Sequence, residues 1–159
     1  MDIKKSEVVK LSRIFEYFKS QKLGRKFSYF ITRNNIKLKD EVEALKEIMA
    51  PSEKYQEFDK KRAEIASNMA DKDDKGKPII VNNSYQIIEN QSKFDKTISD
   101  LRTEYKEAIE EFEKTAKVYN EILKETVPFE PYAIGIDNLP DELEPEIMEI
   151  LVENGLITE

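Results

Sequence analysis

From Phe94 to Ile122 the chain places an apolar residue at alternating steps of four and three: Phe94, Ile98, Leu101, Tyr105, Ala108 and Phe112, then Tyr119 and Ile122. Such a seam brings every apolar side chain to one stripe of a helix, which must be covered by another helix. A chain of 159 residues that commits its apolar side chains in this way keeps few for a ligand cavity. Composition agrees. Charged residues make up 37%, against about 25% in an ordinary globular domain, apolar residues only 39%, and there are four glycines. Seven Tyr and eight Phe, many at helical spacing, argue against disorder.

The chain contains no Cys and no His. Disulfides and thiolate metal sites are thereby excluded, and a reducing compartment is expected. Without His, the commonest general base and Ser-His or Cys-His nucleophilic catalysis are absent. No apolar run approaches the roughly 20 residues of a membrane span, and the start Met1-Asp2-Ile3-Lys4-Lys5 leads into no signal-like stretch. The sequence predicts a soluble, intracellular, non-enzymatic protein with no cofactor and no metal.

The apolar pattern predicts a mainly α fold: an elongated, antiparallel, coiled-coil-like helical hairpin. A small β-hairpin or three-strand element and short N- and C-terminal helices complete it. Read as a single domain, the chain has a basic N-terminal helix over 1–24, capped at Ser6 and broken at Leu23-Gly24. A long helix over 25–70, kinked near Pro51, should pack on a second over 90–126, started by a Ser92/Asp95 capping box. Residues 71–89 read as a turn and a β-hairpin. An acidic strand and short helix occupy 127–159, with Pro131–Ile136 as the third strand.

Three clusters invite functional readings. Asp71, Asp73 and Gly76 match positions of a calcium-binding loop, but Lys75 and Asn82 stand where ligands are needed, so a solvated turn is the better reading. Glu104, Glu107, Glu110, Glu111 and Glu113 lie off the seam beside Lys106, Lys114 and Lys117, as on an ordinary exposed helix face. Charge is also segregated: residues 1–39 carry +8 and residues 40–159 carry −15. Basic residues of the head interleave with Tyr17, Phe18, Phe27, Tyr29 and Phe30, a mixture suited to nucleic acid. Core spacing of most of those aromatics and a pI near 5.0 weigh against that reading.

The order of features, Leu23-Gly24-Arg25-Lys26-Phe27, Glu41 to Lys46, Pro51-Ser52, Tyr55-Gln56-Glu57-Phe58, Lys60-Lys61-Arg62-Ala63-Glu64, the Asp71–Pro78 turn and Leu139-Pro140, resembles a widespread group of small tailed-phage proteins of unassigned function. The resemblance implies viral origin and a non-enzymatic role, with no catalytic or ligand residue to carry over. The partner would be a phage structural protein, making this a virion-associated or assembly factor. Alternatively it is a host defence protein, inhibited by the acidic surface. Nucleic acid binding through the basic segment is the third reading. The expected location is the host cytoplasm or the virion. Partner contacts are assigned to Arg25, Lys26 and Arg33 in the head and to Tyr132, Glu142 and Glu146 in the tail, facing the partner or a second copy.

Overall fold

A computed structural model describes residues 1–158; Glu159, the end of the expected last segment, lies outside the described residues. The protein is mainly helical, with six α-helices and three two-stranded sheets among the described residues. The chain divides into two compact units: Met1–Met49 with Lys117–Glu159, and Ala50–Ala116.

In the first unit, α1 (Lys5–Lys19) and α2 (Arg25–Ile48) form a helical hairpin. Val8, Leu11, Phe15 and Phe18 repeat at helical spacing on α1 and meet Phe27, Phe30, Ile31 and Leu38 of α2 in one buried core. The Phe18 and Phe27 rings lie 5.3 Å apart and those of Phe15 and Phe30 6.3 Å, both pairs edge to face, which fixes an antiparallel register. Each such pair adds about 0.5–1.5 kcal/mol to the burial itself. β1 (Asp2–Lys4) pairs antiparallel with β4 (Thr126–Pro128), and β5 (Ile134–Gly135) pairs parallel with β6 (Ile157–Thr158). Between them α6 (Pro145–Glu153) puts Leu151 into the same core, joined by Leu156 and Ile134. Gly155, at φ 66°, reverses the chain after α6 so that the Leu156 amide can return to the Leu151 carbonyl at 2.9 Å.

In the second unit, α3 (Glu53–Met69) packs against α4 (Gln91–Glu104) and the start of α5 (Lys106–Ile122). The core is small: Phe58, Leu101 and Tyr105, flanked by Tyr55, Ile65 and Ile109. Tyr55 stacks on Phe112 at 4.0 Å between ring centroids, whereas Lys61, further along α3, reaches back to Glu104 at 3.4 Å, so these helices are also antiparallel. Lys61 donates to the Tyr105 hydroxyl at 2.6 Å and pairs with Glu57 at 3.2 Å. Tyr105 and then Glu57 hold the Lys61 pKa above its ordinary value, and the same cluster holds Glu57 below the usual carboxylate range. β2 (Ile80–Val81) and β3 (Ser84–Tyr85) close on Asn82 and Asn83, both at positive φ (50° and 59°), the backbone a two-residue hairpin turn demands.

Several expected details differ. The 25–70 segment is two helices, because Pro51 has no amide to donate and disfavours helical Ala50. Ser52 then caps a new helix by accepting from the Tyr55 amide. The 90–126 helix is interrupted at Tyr105 (φ −104°, ψ 19°) and ends at Ile122. The hairpin partner of α2 is α1, whose phenylalanines interlock with it; the partner of α4 is α3. α1 starts at Lys5 without a Ser6 cap, since the Lys5 and Ser6 amides donate to the Glu125 and Leu123 carbonyls at the end of α5. α4 lacks the Ser92/Asp95 box; Asn90 precedes it and Gln91 donates to Asp95. The Pro131–Ile136 strand joins β6, not the β2–β3 hairpin.

Leu101 of α4 is buried while Glu110 of α5 is exposed. Leu101→Ala therefore costs about 2–5 kcal/mol and Glu110→Ala less than about 0.5 kcal/mol in chemical denaturation followed by circular dichroism. Equal costs would mean the wrong face is buried.

Candidate partner-binding site

The seam of α2 explains which side chains it leaves outside. Phe27, Phe30, Ile31 and Leu38 face the core, so Arg25, Lys26, Tyr29 and Arg33 project to solvent. One polar residue interrupts the seam. Asn34 is fully buried, and its amide group grips the backbone of Tyr132: Nδ2 donates to the Tyr132 carbonyl at 2.8 Å, and Oδ1 accepts from the Tyr132 amide at 2.9 Å. Nδ2 also donates to the Phe30 carbonyl at 3.0 Å. The tail is thus pinned to the middle of α2, and the Tyr132 amide and carbonyl are satisfied without a sheet partner.

This grip sets the Tyr132 ring edge to face with Tyr29, 5.4 Å between centroids. The two rings remain 40% and 53% exposed. Together with Arg25, Lys26, Ile134 and Asn138 they line a cleft of about 420 Å³. On the same unit a second cleft of about 490 Å³ is lined by Phe18, Leu23, Pro140 and Ile147 together with Asp141, Glu142 and Glu144.

Of the six residues expected to contact a partner, the structure brings Arg25, Lys26 and Tyr132 to the first cleft and places Glu142 on the second. Arg33 and Glu146 are exposed outside both, on α2 and in the first turn of α6. Among the described residues none of these five charged groups forms an ion pair, in contrast to Lys5, which bridges Glu41 (3.2 Å) and Glu125 (3.1 Å). Hydrogen bonds to Glu125 and then Glu41 raise the Lys5 pKa, so its charge is committed to the fold. Beyond those six, Tyr29 and Phe18 figure in the sequence only in the nucleic-acid reading, and Asn34 figures in none. Asn34 carried a signal: it stands four residues from both Phe30 and Leu38, on the apolar stripe, where an amide must find buried partners.

The carboxylates of the 71–76 loop are occupied by structural work. Asp71 accepts from the Ile88 and Glu89 amides, and Asp73 from those of Lys75 and Lys77, so both carboxylates cap turns. Among the described residues no group of His, Cys, Asp and Glu is arranged to hold a metal ion, and no helix is long and apolar enough to cross a membrane. No family model matches the chain, and comparison with curated proteins and with solved structures found no match.

Replacing Asn34 by Ala strands the Tyr132 amide and carbonyl in a partly buried position. The expected cost is about 1–3 kcal/mol in denaturant unfolding, whereas Arg33→Ala, one residue away and exposed, changes stability by less than about 0.5 kcal/mol. An Asn34→Ala protein as stable as the parent would contradict the grip.

Proposed function

We propose that this chain is a non-enzymatic, protein-binding accessory factor of a tailed phage, working in virion assembly in the host cytoplasm or as part of the virion. The viral assignment rests on the sequence resemblance. The binding role is supported by one arrangement: the exposed Tyr29 and Tyr132, the latter on a backbone held by Asn34, line a cleft with Arg25 and Lys26, which form no ion pair among the described residues. Tyrosine and arginine dominate the energetics of protein interfaces because they offer large contact area, hydrogen bonding and little entropy loss when already held in place. The sign of the charge selects an acidic partner surface.

The same cations and rings suit the phosphates and bases of a single-stranded nucleic acid, which makes that the second reading. One experiment separates the two. Tagged parent protein and an Arg25→Glu/Lys26→Glu/Arg33→Glu variant serve as baits in phage-infected cells, with and without nuclease, and captured proteins are identified by mass spectrometry. The proposal expects a phage structural protein that survives nuclease and is lost from the variant. Capture abolished by nuclease favours nucleic acid, and an unchanged set of proteins on the variant overturns the site.

A further inference from the structure

Resting on that reading, we propose that in the free protein the basic cleft is occupied by a second copy of this chain, docked through its acidic cleft. Both halves of such an interface are on one unit, and within one copy they do not meet: Arg25, Lys26, Asp141 and Glu142 form no ion pairs among the described residues. The halves match in charge. The basic side offers the exposed Tyr29 and Tyr132 beside Arg25 and Lys26. The acidic side offers Phe18, Leu23, Pro140 and Ile147 as apolar contacts beside the Asp141, Glu142 and Glu144 carboxylates, which meet the guanidinium and ammonium groups. A surface that is complementary to a different surface of the same molecule is the condition for association between copies. The net charge of −7 opposes encounter, but at physiological ionic strength charges beyond about 8 Å are screened while contact pairs are not.

The occupant is tested by exchanging charges. Arg25→Glu/Lys26→Glu makes both clefts acidic, and Asp141→Lys/Glu142→Lys makes both basic, so each variant alone repels its own copies. A mixture of the two restores opposite charge at every contact. All four positions are exposed, and Glu in the first turn of α2 suits the helix dipole, so folding is preserved, as circular dichroism will check. Arg25→Gln/Lys26→Gln serves as a second variant that removes charge without reversing it, and should associate more weakly than the parent. Sedimentation across a wide concentration range is expected to show parent protein growing beyond the monomer, each reversed variant remaining monomeric, and the equimolar mixture recovering complexes that contain both. A parent protein that stays monomeric throughout overturns the proposal, as does a reversed variant that associates like the parent or a mixture that fails to recover. Capture of a phage protein by the parent bait is read independently, so loss of self-association leaves the partner-binding site itself standing.

Discussion

The amide of Asn34 is the constraint on which the first unit depends. Burying an unpaired amide costs several kcal/mol in an apolar medium, so an Asn on the seam of α2 is tolerated only if both of its ends are satisfied. Tyr132 supplies a carbonyl and an amide at matching spacing, and the tail is thereby fixed to α2 at one register. From that point the chain can lay Ile134 beside Ile157 and drop Leu151 and Leu156 into the core built by Phe15, Phe27 and Phe30. The tail is consequently part of the core of this unit, and its two fully buried leucines would be lost with any truncation that removes residues 137–159.

The same constraint shapes the surface. A tyrosine on a free loop would lose conformational entropy on binding, whereas Tyr132 has already paid it through its backbone. Its ring leans on Tyr29, and Arg25 and Lys26, without an ion pair among the described residues, line the same cleft. The second unit is different in character. Its core of Phe58, Leu101 and Tyr105 is slight, and polar contacts of Lys61 with Tyr105 and Glu104 add to the hold between α3 and α4.

Helical content and the outer bounds of the main helical segments were legible in the sequence because period and punctuation are local. The faces of α1 and α2, the Leu23-Gly24 break, the hairpin around Asn82-Asn83 and the Leu101–Ala108 seam all follow from spacing. Which face meets which was not legible: apolar periodicity says that a stripe must be covered but not by whom, so α2 was paired with the wrong helix. Pro51 announced an irregularity, yet its outcome turned on Ser52 capping Tyr55 and Gln56 reaching the Pro51 carbonyl at 2.9 Å, contacts that exist only once the chain has parted. Two-residue strands such as β5 and β6 carry no period at all. At the candidate site the charges of Arg25 and Lys26 and the aromatic Tyr132 could be chosen from composition. Their convergence could not, because it depends on Asn34 spanning 98 positions of sequence.

Amide hydrogen exchange of the unmodified protein tests this account most directly. Tyr132 lies outside every helix and strand and its side chain is partly solvent-exposed, so an unpinned amide there would exchange at the rate of a loop. The account predicts that the Tyr132 amide exchanges as slowly as the core amides of α2, opening only when the first unit unfolds. Exchange of Tyr132 as fast as that of exposed loop amides, with α2 still protected, would contradict it.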